Sequence, residues 1–79
     1  MSEKLSPAEK ERRLFLVFKQ AIEDERRAQE VYREAMTITD DPVLIEAFRS
    51  LLKDEVRHEQ EMTEKYNEFK RRYLGPTAE

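Results

Sequence analysis

The residues of this chain best suited to chemistry are one histidine and two glutamates. Glu55 and His58 are three residues apart. On a helix that spacing puts a carboxylate and an imidazole on one face, where both can bind one metal ion. His58 is the only histidine, and Glu25 offers a second carboxylate earlier in the chain. Helical bundles with two iron or manganese ions use one glutamate from each of two helices and Glu-x-x-His from each of the other two, so this chain carries half of that set.

The spacing of apolar residues puts both glutamates in positions that face a bundle core. Each glutamate stands in a row of residues spaced by seven, which share one side of a helix. The rows are Phe18-Glu25-Tyr32 and Phe48-Glu55-Met62-Phe69. Taken alone, a glutamate there is usually an edge residue, and a histidine is usually a hydrogen-bonded core residue. Taken together, two chains would gather four carboxylates and two imidazoles, which is costly unless cations neutralise the charge.

Four other residues are candidates for supporting roles. Tyr32 is most simply a core aromatic whose hydroxyl meets a carboxylate. Asp54 could orient the ring of His58, or be an exposed acid. Gln29 lies one turn from Glu25 and could face the site, whereas Glu59 lies one turn beyond Glu55 and could bind an entering cation or face solvent. Iron, manganese and zinc all accept carboxylate and imidazole ligands, so the residues leave the metal open.

Start and stop signals predict two long helices that position these residues. Ser6, Pro7 and Glu9 form the pattern of a capping box with proline at the first helical position. Asp41 and Pro42 form the same pattern at the start of a second helix, with Asp41 as the cap and Pro42 as the first helical residue. The sequence therefore predicts helix 1 at about 7–37, a turn at 38–41 and helix 2 at about 42–74, with Gly75 as a left-handed cap.

Composition excludes several classes of protein. Charged residues make up 42% of the chain, the net charge is −3 and the pI is about 5.3, so no broad basic surface is expected for nucleic acid. No cysteine is present, which excludes disulfides, iron–sulfur clusters and a rubredoxin-type iron centre. No apolar run could span a bilayer, and the first residues lack the apolar segment of a signal peptide. These features favour a cytoplasmic protein without a membrane partner.

The predicted fold is all-α and needs a second copy. A short turn between two long helices favours an antiparallel hairpin. Seventy-nine residues give one small domain with a thin core. Two hairpins that pack together bury both apolar stripes and form a four-helix bundle. We therefore expect a homodimer or a higher multiple of dimers.

At the level of motifs, the chain resembles ferritin-like di-iron proteins over roughly residues 14–70. The first half-site is carried by Glu25-Arg26-Arg27-Ala28 with Tyr32 and Ala35, and the second by Asp54-Glu55-Val56-Arg57-His58 with Phe48 and Leu51. The half-sites resemble those of rubrerythrins, and the chain is similar to the encapsulated ferritins, which are half-length ferritin-like chains. The resemblance implies that residues 1–79 are one ferritin-like half-domain and that its dimer is a ferroxidase with two iron ions. Glu25, Glu55 and His58 would be the ligands, and Tyr32 would lie beside the metals.

The resemblance also bears on partners and on alternative functions. It implies storage in an encapsulin nanocompartment, yet the tail 74–79 lacks the Gly-, Ser- and Leu-rich peptide that directs such proteins into the shell. A rubrerythrin-like peroxide scavenger is an alternative, and its electrons would come from another protein because no rubredoxin module is present. A metal-free helical hairpin that serves as an interaction module is the alternative from another class. Iron content and oxidation of Fe(II) would separate the classes.

Overall fold

The computed structural model describes residues 4–74 and contains two α-helices, with no strand in that range. Helix α1 is Pro7–Ile38 and helix α2 is Pro42–Leu74. The helices lie side by side and run antiparallel, because the ring of Phe15 near the start of α1 packs on Phe69 near the end of α2. The prediction of an all-α chain built as a hairpin is confirmed. Helix α1 extends one residue beyond its predicted end.

The start of α1 has the predicted capping box. The backbone N–H of Glu9 donates to Ser6 Oγ at 3.1 Å, and the N–H of Ser6 donates to Glu9 Oε1 at 3.2 Å. Pro7 follows at the first helical position. Two backbone donors that the helix leaves unpaired are thereby satisfied, which fixes where α1 begins.

The connection between the helices is equally local. Thr39 leaves the helix with extended backbone angles, φ −111° and ψ 148°. Asp41 then caps α2, because its Oδ1 accepts from the N–H of Val43 at 2.9 Å. The predicted Gly75 cap lies outside the described residues. A link this short leaves the two helices no alternative to antiparallel packing.

Aromatic rings hold the two helices together on either side of the glutamates. Near the open end of the hairpin, Phe15 meets Tyr66 edge to face with ring centroids 5.6 Å apart. Near the turn, Tyr32 stacks on Phe48 at 6.2 Å. Glu25 lies seven residues from Tyr32, and Glu55 lies seven residues from Phe48. The aromatic contacts therefore lie on either side of the level at which the two glutamates face each other.

The hairpin has very little interior of its own. Ile22 is the only buried hydrophobic residue among residues 4–74, and Gln29 is the only buried polar one. Large apolar side chains on both helices stay exposed: Leu14, Leu16, Val17, Val31, Ile38, Val43, Leu44, Leu51 and Tyr73. Within the described range, no helix is long and apolar enough to cross a membrane. Nine large apolar side chains of the described hairpin are therefore uncovered.

Candidate metal centre

The fold brings the three predicted metal ligands together. Glu25 comes from α1, and Glu55 and His58 come from consecutive turns of α2. One ligand atom from each of the three lies within 4.8 Å of the others. Among residues 4–74, this is the cluster of acidic and histidine side chains that could hold a metal ion.

The distances within the cluster fit a shared ion better than they fit hydrogen bonds. His58 Nδ1 is 3.9 Å from Glu25 Oε1 and 3.7 Å from Glu55 Oε1. Both distances are too long for hydrogen bonds. Two ligand atoms that each lie about 2.0–2.2 Å from one ion are at most roughly 4.4 Å apart. One ion would fit between the three side chains after a small closure of the gap between the most distant ligand atoms, which lie within 4.8 Å of each other.

Glu25 is the candidate ligand with a buried and unpaired oxygen atom. Its side chain is 17% exposed, and its Oε1 is buried without any hydrogen-bond partner. Buried polar atoms nearly always have a partner, because an unpaired one keeps the full cost of its lost hydration. Glu55 is similarly covered, whereas the ring of His58 is 44% exposed in the single chain. The cluster is therefore closed toward the hairpin and open on the side of His58.

A second polar group links the helices one turn away from the ligands. Glu59 accepts two hydrogen bonds from α1, one from Gln29 Nε2 to Oε1 at 2.6 Å and one from Arg26 Nε to Oε2 at 2.6 Å. Arg33 in turn donates to Gln29 Oε1 at 3.4 Å. The hydrogen bonds from Arg26 and Gln29 hold the pKa of Glu59 below its ordinary value, although burial acts in the opposite direction. Glu59 is thus an ionised partner of α1 in this chain.

Two other predicted supporting residues have different neighbours. Tyr32 stacks on Phe48 with an angle of 25° between the rings, which fits the expected packing role. Among the described residues, its hydroxyl makes no hydrogen bond to a carboxylate. Asp54 lies 3.7 Å from Arg57 in an exposed ion pair within α2. Neither belongs to the cluster of three ligand atoms.

Sequence reasoning did not anticipate the contact between Gln29 and Glu59. Both residues stand four positions after a ligand, Gln29 after Glu25 and Glu59 after Glu55. Side chains on a helix lean toward its N-terminus, so these two lean toward each other when the helices are antiparallel. In the sequence, Arg26 stands out only as part of the first half-site motif. The sequence signal for this contact is that each residue follows a predicted ligand by four positions. Together with the antiparallel arrangement of the helices, that spacing predicts that the two side chains meet.

Comparison of the chain with protein-family models, with curated proteins and with solved structures finds no match. The site is therefore defined by its own geometry: an antiparallel helical hairpin with two glutamates and one histidine gathered between its helices.

Proposed function

We propose that this protein binds iron at a centre shared by two copies of the chain and oxidises Fe(II) to Fe(III). The observation that carries the proposal is the cluster of Glu25, Glu55 and His58, whose ligand atoms lie within 4.8 Å of one another. Its chemistry is the half-set of carboxylate and imidazole ligands found in di-iron helical bundles. The unpaired buried oxygen of Glu25 supports the same conclusion, because a cation would satisfy it.

The uncovered face of the hairpin supports a second copy as the missing half. Leu44, Leu51 and His58 stand seven residues apart on α2, so they share one side of that helix. Leu44 is 44% exposed and Leu51 is 41% exposed, and both lie in line with the half-exposed ring of His58. A contiguous row of exposed apolar residues is a candidate interaction surface. A second hairpin on this face would bury the leucines and bring its own three ligands to the open side of the cluster.

Helix α1 also offers a surface that can pack against a second copy of the chain. Leu14, Ala21, Ala28 and Ala35 are spaced by seven residues on α1 and form a strip of mostly small side chains beside Glu25. Small residues let two helix backbones approach closely. An isologous dimer places the same strip of each chain against its partner, as two-fold symmetry requires. The dimer would then hold four carboxylates and two imidazoles, enough for two metal ions.

The two kinds of ligand have separate roles in the proposed chemistry. Carboxylates are hard oxygen ligands that neutralise a divalent or trivalent iron ion, and imidazole adds a ligand that stays neutral. Fe(II) is the substrate: two ions each lose one electron, and one O2 with two protons becomes H2O2. With peroxide as oxidant, the same two electrons and two protons convert one H2O2 into two water molecules. Manganese or zinc could occupy the same ligands, so the oxidation itself defines the function.

The direct test is oxidation of Fe(II) by the parent protein and by a Glu55→Ala variant. Formation of Fe(III), measured by its absorbance, should be faster with the parent protein than in buffer alone. The variant should lose most of that activity while its circular dichroism spectrum stays helical. Running each reaction with O2 and with peroxide identifies the preferred oxidant. A matched control is Glu61→Ala, which removes an exposed carboxylate near Arg57 and should oxidise Fe(II) as the parent does.

Equal rates for the parent and Glu55→Ala would rule out the proposed site. Equal rates for the parent and buffer would favour the metal-free hairpin instead.

A further inference from the structure

The four polar residues that join the helices beside the metal centre are Arg26, Gln29, Arg33 and Glu59, and we call them the interhelical clamp. Its two shortest hydrogen bonds, both 2.6 Å, run between α1 and α2. The other side-chain hydrogen bonds between residues 4–74 stay within one helix or its cap. The clamp is therefore the only directional link that fixes how far one described helix slides along the other.

Gln29 occupies a position where an apolar residue would be expected. It is 6% exposed, the most buried residue of the described chain, and it packs in the groove between the helices. Burying an amide is unfavourable unless its hydrogen bonds are made, and here Glu59 accepts one while Arg33 donates another. Apolar contacts tolerate small slides, whereas hydrogen bonds of this length do not. A buried polar group that fixes register is a known use of such residues in helical bundles.

We infer that Gln29 and Glu59 are positioning residues which hold α1 and α2 in the register that places Glu25 opposite Glu55 and His58. Each stands one turn from a ligand on its own helix, Gln29 from Glu25 and Glu59 from Glu55. A slide of one residue would move Glu25 by about 1.5 Å along the helix axis, which is large beside the tolerance of a metal–ligand distance. This inference rests on the proposed metal site.

The clamp has a second effect, because it keeps Glu59 away from the ions. Glu59 follows His58 directly and lies one turn after Glu55, so a free carboxylate there would be within reach of the same cluster. Both of its oxygens are instead taken by donors from α1. The set of ligands is thus restricted to three per chain.

The experiment compares Mn(II) binding to the parent, Gln29→Leu and Gln20→Leu by isothermal titration calorimetry. Gln29→Leu leaves the net charge unchanged and fills a buried position with an apolar side chain. It should weaken Mn(II) binding by about 10-fold, the usual scale for losing a group that orients metal ligands. Gln20→Leu makes the same change on α1 where the amide bonds only to Asp24 of its own helix, and it should bind as the parent does.

A rescue separates a positioning role from a general loss of packing. The double variant Gln29→Glu with Glu59→Gln exchanges the two groups, keeps the net charge and leaves Arg33 beside the new carboxylate. It should recover most of the lost affinity. The metal-free melting temperature of Gln29→Leu should be no lower than that of the parent, because an apolar side chain packs well there. Gln29→Met, which keeps the length of the side chain, takes the place of Gln29→Leu if that variant does not fold.

The outcomes separate the two proposals. If the parent binds Mn(II) and Gln29→Leu binds it equally well, the positioning role is wrong and the metal site stands. If the Mn(II) affinity and the melting temperature of Gln29→Leu both fall, and the double variant does not recover the affinity, the role of Gln29 is only structural and the inference is overturned. If the parent binds no Mn(II), the proposed function is wrong, and the inference that rests on it is wrong too.

Discussion

Replacing Glu25 by leucine should stabilise the metal-free protein and abolish its response to metal. In the folded chain Glu25 carries a buried oxygen without a hydrogen-bond partner, on a side chain that is only 17% exposed. Leucine removes that unpaired charge and lets the apolar row continue from Phe18 to Tyr32. The substitution therefore exchanges a proposed metal ligand for packing, and stability and metal binding should change in opposite directions.

The size of the effect follows from the burial. An unsatisfied buried polar group costs about 1–3 kcal/mol, and the remaining exposure of the side chain reduces that figure. With two copies of Glu25 in a dimer, we expect a gain of about 1–4 kcal/mol per dimer, in the range found when buried charges are replaced by apolar groups. For a dimer of two such chains that unfolds as one unit, a gain of about 2 kcal/mol raises the melting temperature by roughly 4–8 °C.

Thermal melts by circular dichroism, with chelator and with Mn(II), measure both effects. At about 100 times its dissociation constant, Mn(II) should stabilise the parent by about 2.7 kcal/mol for each site that binds only the folded state, and it should leave Glu25→Leu unchanged. Glu23→Leu is the matched control on an exposed position of α1. It should melt within about 0.5 kcal/mol of the parent and keep the response to metal. A parent whose melting temperature ignores Mn(II), or a destabilised Glu25→Leu, would refute this reasoning.

Three further predictions follow from other contacts. Leu51→Glu places a charge on the uncovered face and should convert the proposed dimer to a monomer in light scattering; a dimer of unchanged mass would place the interface elsewhere. Asp41→Ala removes the cap that holds the N–H of Val43, and should lower the free energy of unfolding by about 1 kcal/mol in urea melts. Glu59 has a lowered pKa in the folded state, so its contribution to stability is present above the ordinary carboxyl pKa and is lost as the pH falls through the folded value. Glu59→Gln should accordingly lose less stability than the parent between about pH 5 and about pH 3, and equal pH profiles would contradict that sign.

The helices and the ligand cluster were predictable because their signals are local. Ser6, Glu9 and Asp41 act on backbone groups two or three residues away, so a short stretch of sequence contains the whole interaction. The pairing of Glu55 with His58 depends only on helical spacing. Placing Glu25 beside them needed one more step, the antiparallel arrangement that the short link imposes.

The clamp could not be predicted in the same way. Whether Glu59 reaches Gln29, faces solvent or approaches a metal ion depends on how far α1 is displaced along α2. That displacement depends on contacts between residues far apart in sequence, such as the packing of Phe15 on Phe69, which are more than fifty positions apart. Periodicity gives the inward face of each helix, but it does not give the offset between two helices.

Native mass spectrometry of the protein, mixed with Fe(II) under anaerobic conditions, tests the central claim most directly, since it reports assembly and metal content together. The parent should appear as a dimer that carries two iron ions, and Glu55→Ala should carry none. A parent that appears as a metal-free monomer, or as a dimer with no iron, would contradict a shared di-iron centre.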